Sequence, residues 1–478
     1  MIERLLLFGA TGDLAGRFLL PALAELCTLG QLPDAFEVIG SARQELSDEV
    51  FRRSASEQLE RHAADVPEPA REALLHRLRY RQIDLGSDAA SGIIRDVLGT
   101  TPTAVYLALP PSLFAPTISA LREAGLPAGS RIVVEKPFGE DLEGAVALNQ
   151  LLAELAGTAG EGVTFRVDHV LGMATVQNLL GLRFANRILE PIWNSTHIEQ
   201  VEILWEETLA LEGRAGYYDR SGALKDVMQN HMLQILSLLA MEPPASLGER
   251  DLRDRKVDAL RSVRPPEPDQ MLERTRRARY TAGRLANSGG ADGSEVPDYV
   301  AEEGVDPARC TETFAQVVLE LDSWRWAGTR FVLRAGKALQ RRWKGVVVRF
   351  RPVPYLPFEG DAALPAPNEL RIGLDGPECL ELHLTGSAPG PRIELVPLVL
   401  TGEPPAAKLR AYSRVLLDVL SGGSTLSVRG DEAEQAWRIV TPVLNAWAED
   451  RIPLEDYPAG SPVLPRRGQE SGRAEPPR

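Results

Sequence analysis

Apolar and polar positions follow two different patterns along the chain, and the change falls about a third of the way from the N-terminus. Up to about residue 170, short apolar runs such as LLLF, VYLAL and RIVVE alternate with longer stretches of helical periodicity. Strands that alternate with helices predict parallel β-α-β units. Residues 1–170 are therefore predicted to form a doubly wound α/β domain.

Apolar runs follow one another more closely beyond about residue 200. VEILW, FAQVVLEL, GVVVRF, ELRIGL and RIELVPLVL are separated by few helical patterns, as is typical of an antiparallel sheet. We predict a second, α+β domain with a large, mostly antiparallel sheet over residues 171–458, and a long loop at 286–304. Residues 459–478 are rich in Pro, Gly, Arg and Glu and are predicted to be disordered.

Composition narrows the class of protein. The 478 residues are 44% hydrophobic and 25% charged, as in an ordinary globular protein. The formal net charge of -14 argues against nucleic acid or an anionic membrane as the main partner, because both require a basic surface. Cys27, Cys310 and Cys379 have neither disulfide-like nor metal-like spacing. We expect a cytoplasmic enzyme without a metal site or a membrane span.

The stretch LLLFGATGDLAG, residues 5–16, predicts a phosphate-binding turn between a strand and a helix. Small residues let the backbone approach a pyrophosphate, and the helix N-terminus favours its negative charge. Glycines that serve only the turn are the alternative interpretation. The candidate cofactor residues in this stretch are Gly9, Thr11, Gly12, Asp13 and Leu14.

The end of the second predicted strand indicates which dinucleotide is bound. Arg43 and Gln44 stand where an NAD-selective site usually has an acidic residue for the ribose 2′-hydroxyl. An arginine there can instead pair with a 2′-phosphate, with Thr11 as a hydroxyl partner. We predict NADP as cofactor, with NAD as the alternative; a plain surface charge is the other interpretation of Arg43.

Two later strand ends add candidates, because ligands of open α/β sheets bind outside the carboxyl ends of the strands. YLALPP contributes Tyr106 and Pro110, and EKPFG contributes Lys136. An ion pair with Glu135 is the alternative interpretation of Lys136.

Several motifs in register show a resemblance to a known family: GATGDLAG, SARQ, EKPFG, RVDHVLGMATVQNLLGLRFAN, GRAGYYDRSGALKDVMQNHMLQ, LRAGKALQRR and SVRGDEAEQAW. With them the chain resembles glucose-6-phosphate dehydrogenase from about residue 3 to 450. The resemblance implies a Rossmann domain followed by a β+α domain, and a homodimer or homotetramer. It also implies oxidation of C1 of a pyranose 6-phosphate to the lactone, with hydride transfer to NADP or, in some members, NAD.

The same resemblance implies roles for individual residues. His231 matches the catalytic base, and Asp168 matches the carboxylate that orients it. Taken alone, His231 in an apolar helical stretch would be interpreted as a core histidine. The residues that match substrate contacts are Lys136, His169, Glu207, Asp226, Lys337 and Arg342.

The chain departs from the family at three positions near the expected phosphate. The family run His-Tyr-Leu-Gly-Lys is here His169-Val170-Leu171-Gly172-Met173, and Phe18 replaces a lysine. Each lost charge-assisted hydrogen bond should cost about 1.5–3 kcal/mol of phosphate affinity.

Three hypotheses remain open from the sequence. In the first, glucose 6-phosphate is retained as substrate, with Arg17 or Arg342 supplying charge. In the second, the chain is a paralogue that acts on a non-phosphorylated or modified hexose. In the third, it is a catalytically silent NADP-binding regulatory subunit, although retention of both His231 and Asp168 argues against that hypothesis.

Overall fold

A computed structural model of the protein describes residues 1–211, 213, 215–285, 294–358, 366–375, 379–389 and 393–462. Residues 286–293 of the predicted loop and 463–478 of the predicted tail lie outside the described residues. The first residues of that tail are ordered, which corrects its predicted start. Ala459 is buried and Ser461 pairs with Leu339.

The strands are short in the first part of the chain and longer in the second. In chain order they are β1 (Arg4–Phe8), β2 (Glu37–Ala42), β3 (Leu78–Gln82), β4 (Thr103–Leu107), β5 (Arg131–Glu135), β6 (Thr164–Val167), β7 (Ile198–Glu206), β8 (Val263–Arg264), β9 (Thr275–Thr281), β10 (Gly283–Leu285), β11 (Ser294–Val296), β12 (Phe314–Leu321), β13 (Arg330–Gly336), β14 (Trp343–Phe350), β15 (Glu369–Asp375), β16 (Leu380–Ala388), β17 (Glu394–Gly402), β18 (Ser427–Val428) and β19 (Leu454–Pro458).

The α-helices are α1 (Leu20–Thr28), α2 (Asp48–His62), α3 (Glu68–His76), α4 (Ala90–Leu98), α5 (Phe114–Ala124), α6 (Leu142–Ala156), α7 (Ala174–Phe184), α8 (Ala215–Ala223), α9 (Leu233–Ala240), α10 (Glu249–Ser262), α11 (Met271–Arg274), α12 (Ala411–Ser421) and α13 (Gly430–Ala448). Two π-helical segments, Ala15–Leu19 and Leu224–Met232, run directly into α1 and α9. None of the helices in the described part of the chain is both long and apolar enough to cross a bilayer.

The chain folds into two compact units. The first contains residues 1–177, 241–258 and 406–437, and the second contains the rest. This division differs from the predicted boundary at residue 170, because two later segments join the first unit. Within that unit, Lys256 and Glu432 from those segments form a buried ion pair at 2.8 Å.

The first unit contains a seven-stranded sheet in the order β18-β6-β5-β4-β1-β2-β3. β1 to β6 are all parallel and β18 is antiparallel at the edge. Buried apolar side chains fill β1, β4 and β5, as expected for parallel strands that helices cover on both faces. The predicted doubly wound α/β fold is confirmed. Its order places the carboxyl ends of β1, β2, β4 and β5 side by side.

The second unit is built on a ten-stranded mixed sheet. Its order is β17-β16-β15-β14-β7-β13-β12-β9-β19, with β8 paired to β12. The pairs β7 with β13 and β9 with β19 are parallel, and the others are antiparallel. The predicted large, mostly antiparallel sheet is confirmed. The central position of β7 explains why nearly all of its side chains are buried.

Candidate active-site residues

The glycine-rich turn after β1 has the shape of a phosphate cradle. Gly9 has φ +74°, and a Cβ there would lie 2.1 Å from the Ala108 carbonyl oxygen, so the turn requires glycine. The Gly12 amide donates to the Gly9 carbonyl at 2.9 Å. The exposed residues of the turn are Thr11, Gly12 and Asp13, with Leu14 half-buried. This bare backbone at the start of a helix fits the diphosphate of a dinucleotide.

Open space beside the turn continues to α2. A cavity of about 290 Å³ is lined there by Thr11, Gly12, Asp13 and side chains of α2. Arg43 and Gln44, just past β2, are exposed. Their backbone carbonyls accept hydrogen bonds from Gln82 at 2.9 Å and from the Tyr80 hydroxyl at 2.6 Å. The backbone after β2 is thus fixed while the Arg43 side chain faces solvent, as a contact to a 2′-phosphate requires.

Tyr106 is a buried residue of β4, near the strand end that is predicted to meet the cofactor. Its side chain is fully buried and its hydroxyl donates to Glu135 Oε1 at 2.5 Å. Tyr106 thus sits inside the sheet layer, and its contact with the cofactor stays a prediction. Pro110 does lie past the end of β4 and is exposed.

Lys136 and Asp168 follow directly on β5 and β6, which are neighbours in the sheet. Lys136 is half-buried and is joined to Pro137 by a cis peptide bond. The fully buried Asp168 accepts a hydrogen bond from the Val170 amide at 3.1 Å. Parallel strands thereby bring together two residues that are 32 positions apart in the sequence.

An aromatic cluster stands where the family's polar residues were expected; we define it as Phe18, Tyr106 and Tyr412 with Glu135 and His169. The ring centroid of Tyr412 lies 5.4 Å from that of Phe18 and 5.3 Å from that of His169, which is stacked on it at 21°. The Tyr412 and Tyr106 hydroxyls both hydrogen bond Glu135. Burial raises the pKa of Glu135 to about 7. The cluster is thus aromatic, with one buried carboxyl.

The three departures occupy different environments. Val170 is fully buried and Met173 is half-buried just before α7. Phe18 is 41% exposed, with the Arg17 guanidinium carbon 5.6 Å from its ring centroid. Of the two cations proposed to supply charge, Arg17 therefore lies beside the aromatic cluster, although it also approaches Asp13 at 3.6 Å.

In the second unit, a π-helical segment carries Asp226 and His231. The wider turn lets the Asn230 side-chain amide donate to the Lys225 carbonyl at 3.0 Å. Such segments occur frequently at functional sites, and the sequence pattern predicted only an ordinary helix. His231 is buried, and its ring centroid lies 5.5 Å from that of Trp205.

A charged edge, defined as Glu207, Lys337, Lys344 and Asp375, lies at the ends of β7, β13, β14 and β15. Lys337 Nζ is 2.7 Å from Glu207 Oε2, and Lys344 Nζ is 3.0 Å from Glu207 Oε1. Burial opposes ionisation of Glu207, yet the two ammonium groups outweigh it and lower the pKa of this carboxyl to about 2. Glu207 is therefore an ionised acceptor at neutral pH, as a sugar hydroxyl would require.

Tyr218 and Arg342 border this edge. Lys337 Nζ lies 5.1 Å from the Tyr218 ring centroid, and the charges of Asp226 and Glu207 act on the Tyr218 hydroxyl. The structure thus brings Glu207, Asp226 and Lys337 around one buried tyrosine. Arg342 is 55% exposed and pairs with Asp375 at 2.8 Å, so it reaches the edge only through that carboxylate.

Four contributors were missed by the sequence analysis: Tyr412, Trp205, Tyr218 and Lys344. Tyr412 lies 243 positions beyond His169, so no local spacing signals their contact. Trp205 and Tyr218 stand inside motifs whose apolar patterns are those of core residues. Lys344 follows the KALQRR motif by two positions. Its position opposite β7 identifies it, and the sequence alone does not show that strand pairing.

Two family models match the chain. The description "Glucose-6-phosphate dehydrogenase, NAD binding domain" matches residues 6–178, and "Glucose-6-phosphate dehydrogenase, C-terminal domain" matches residues 180–470. The glucose-6-phosphate 1-dehydrogenase of Rhizobium meliloti (strain 1021) is 40% identical over 465 residues, which are 95% of this chain and 93% of the relative. That of Treponema pallidum (strain Nichols) is 39% identical over 477 residues, covering 96% and 91%.

Solved structures agree with these matches. A glucose-6-phosphate dehydrogenase in complex with its substrate glucose-6-phosphate is similar with a TM-score of 0.84 and 31% identity, covering 97% of this chain and 96% of that one. The glucose-6-phosphate 1-dehydrogenase from Mycobacterium avium has a TM-score of 0.81 and 32% identity, covering 96% and 95%.

Proposed function

This chain belongs to the glucose-6-phosphate dehydrogenase family, and we propose that it oxidises C1 of glucose 6-phosphate to the lactone with NADP as hydride acceptor. The observation that supports a hexose as substrate is the Glu207–Lys337 pair, and the similarity to glucose-6-phosphate dehydrogenases supports its phosphate. The pair presents an ionised carboxylate and an ammonium to the hydroxyls of a hexose. The sequence similarity over nearly the whole chain supports the reaction. The paralogue and the silent subunit are not favoured by these findings.

We propose His231 as the base for the C1 hydroxyl proton and Asp168 as the carboxylate that stabilises its imidazolium. General-base help of this kind contributes about 10²–10⁴ in rate. Lys136, Asp226, Lys337 and Glu207 are proposed as hydrogen-bond partners of the sugar. His169 and Arg342 are proposed as its remaining contacts.

The proposed cofactor site lies in the first unit, within its residues 1–177. The Gly9–Leu14 turn fits the diphosphate, because a Cβ at Gly9 would strike the Ala108 carbonyl. Arg43 is proposed to meet the 2′-phosphate and thereby favour NADP. NADP, when bound, accepts the hydride from C1. Gln44 and Pro110 are proposed to flank the cofactor.

The oligomeric state and location remain predictions. We propose a homodimer or homotetramer on the strength of the family resemblance, to be checked by light scattering of the purified protein. A cytoplasmic location remains a prediction from the sparse, unpaired cysteines Cys27, Cys310 and Cys379.

The experiment that tests the proposal is the initial rate of reduced-nicotinamide formation. Glucose 6-phosphate and glucose are each assayed with NADP and with NAD, and the His231→Asn variant controls for contaminating activity. A far higher kcat/KM for glucose 6-phosphate with NADP is expected. Equal values for the two sugars would instead support the paralogue, and cofactor binding without turnover of any hexose would support the silent subunit.

A further inference from the structure

Three neighbouring strands of the second unit place one row of side chains on a single face of the sheet. Lys344 on β14 stands directly opposite Trp205 on β7 and opposite Asp375 on β15. Side chains at directly opposed positions of antiparallel strands project to the same face and contact one another. A register shift between Lys344 and Gly345 marks a bulge at this point, and bulges commonly redirect a side chain.

Lys344 contacts three side chains, of which two belong to this row and the third, Glu207, lies beside it. Its Nζ lies 4.5 Å from the Trp205 ring centroid, 3.0 Å from Glu207 Oε1 and 3.3 Å from Asp375 Oδ2. The side chain is only 13% exposed, so the ammonium depends on these partners. A partly desolvated ammonium over an indole is a favourable cation–π contact.

The two lysines hold the Glu207 carboxylate from different sides. Lys337 approaches Oε2 and Lys344 approaches Oε1. With an ammonium on each oxygen, the plane of the carboxylate is defined. Removing Lys344 would leave one oxygen without its cation and allow the carboxylate to rotate.

Trp205 also contacts His231. The indole contacts both the Lys344 ammonium and the imidazole, with the ring centroids of Trp205 and His231 5.5 Å apart at 32°. Both aromatic side chains are buried. We expect the orientation of the His231 ring to depend on how firmly Trp205 is held, and the Lys344 ammonium contacts Trp205.

We propose that Lys344 and Trp205 are a positioning pair for the sugar-oxidising site. Lys344 orients Glu207 directly and orients His231 through the Trp205 indole. Neither member of the pair is assigned a contact with the reacting atoms, so both act through other residues. The inference rests on the proposed function, since it takes Glu207 as a sugar ligand and His231 as the base.

The test compares Lys344→Met, Trp205→Leu and the double variant, assayed with glucose 6-phosphate and NADP from pH 5 to pH 8. Lys344→Met is expected to lower kcat by about 2- to 30-fold, the range of a cation–π contact, and to raise KM for the sugar. The two losses are expected to be less than multiplicative in the double variant, because both substitutions break the same contact. The deficit of Lys344→Met should grow as the pH falls, because Glu207 then has a single ammonium to keep it ionised.

Two further variants separate positioning from general damage. Lys344→Arg keeps a cation over the indole and is expected to retain more kcat than Lys344→Met. Arg349→Gln is the matched control on the same strand, because Arg349 pairs with Glu202 and Glu369 and has no contact with Trp205 in the described structure. Its kcat and pH profile should be those of the wild type.

Each result decides between the inference and its premise. If the wild type turns over glucose 6-phosphate while Lys344→Met and Trp205→Leu behave like Arg349→Gln, the inference is wrong and the proposed function stands. Equal losses in Lys344→Arg and Lys344→Met would also contradict it, since the charge would not matter. A wild type that is inactive on every hexose would overturn the proposed function and the inference together.

Discussion

The charged edge of the second unit and the aromatic cluster of the first each contain one largely buried glutamate, and the two glutamates differ in charge state. Two ammonium groups lower the pKa of Glu207 to about 2, whereas burial raises the pKa of Glu135 to about 7 despite the hydrogen bond from Tyr106. Two ammonium groups that hydrogen bond Glu207 offset its desolvation, whereas the Tyr106 hydrogen bond and the charge of Lys136 do not offset that of Glu135. At neutral pH the charged edge therefore holds an ionised carboxylate, whereas Glu135 of the aromatic cluster is partly protonated.

This difference has a functional meaning under the proposed reaction. The charged edge holds Glu207 and Lys337, the proposed sugar contacts, and His231, the proposed base, packs on Trp205. The aromatic cluster holds His169 against Tyr412 where additional cations were expected. Recognition of the sugar ring and recognition of its phosphate should therefore respond differently to mutation.

The largest effect on kcat is expected from replacing His231. His231→Asn should lower kcat by about 10²–10⁴, because the C1 hydroxyl loses its base. KM for glucose 6-phosphate should change much less. Steady-state kinetics check the prediction, with His383→Asn as control, since His383 pairs with Glu381 on β16. A similar loss in both variants would show that His231 acts only through the fold.

The next effect is a difference in pH-dependent stability between the two glutamates. The folded-state pKa of Glu135 lies above the ordinary glutamate value of 4.5. The folded protein therefore binds the extra proton, and the stabilisation is complete below about pH 4.5 and is lost as the pH rises through 7. Relative to Glu135→Gln, the wild type should lose about 3 kcal/mol of unfolding free energy across that range.

Glu207 provides the contrasting case. Its folded pKa of about 2 lies below 4.5, so its stabilisation is present above pH 4.5 and is lost as the pH falls toward 2. The difference between the wild type and Glu207→Gln should therefore be constant from pH 5 to pH 8. Urea unfolding at pH 5 and at pH 8 measures the unfolding free energy of the wild type against Glu135→Gln and against Glu207→Gln. A constant difference for Glu135→Gln would contradict a raised pKa of Glu135.

The sequence predicts those structural features that depend on a local pattern of residues. The Gly9–Leu14 turn follows from a strand, three small residues and a helix, all contiguous in the chain. The pairing of Glu207 with Lys337 arises because β7 and β13 are adjacent and parallel, with Gly336 opposite Glu206. No periodicity reveals that pairing; only the resemblance placed both residues at the substrate.

The contacts that the sequence could not show have the same cause. Tyr106 was assigned to the cofactor because it ends an apolar strand, but the pattern does not show that Glu135 on the adjacent strand takes its hydroxyl. Tyr412 reaches His169 because α12 packs on the segment 169–172, where a Cβ on Gly172 would lie 2.4 Å from the Ala411 carbonyl oxygen. Such contacts between distant segments depend on packing, which a single sequence does not record.

A smaller effect is expected from restoring a cation beside the aromatic cluster. Met173→Lys should lower KM for glucose 6-phosphate by about 10- to 150-fold, the equivalent of one charge-assisted hydrogen bond. KM for glucose should not change, because glucose has no phosphate. Kinetics with both sugars test this, and Met173→Gln is the control for polarity without charge. An equal change for both sugars would place Met173 away from the phosphate.

The smallest effect concerns the packing that replaced the family's lysine. Phe18→Leu removes the ring that lies 5.4 Å from Tyr412 and should destabilise the first unit by about 0.5–1.5 kcal/mol. Phe18→Tyr keeps the ring and should match the wild type in thermal unfolding. Because Tyr412 also stacks on His169, Phe18→Leu should raise KM for glucose 6-phosphate slightly and leave KM for glucose unchanged. If KM for both sugars rises equally, Phe18 supports the fold of the unit rather than the position of His169.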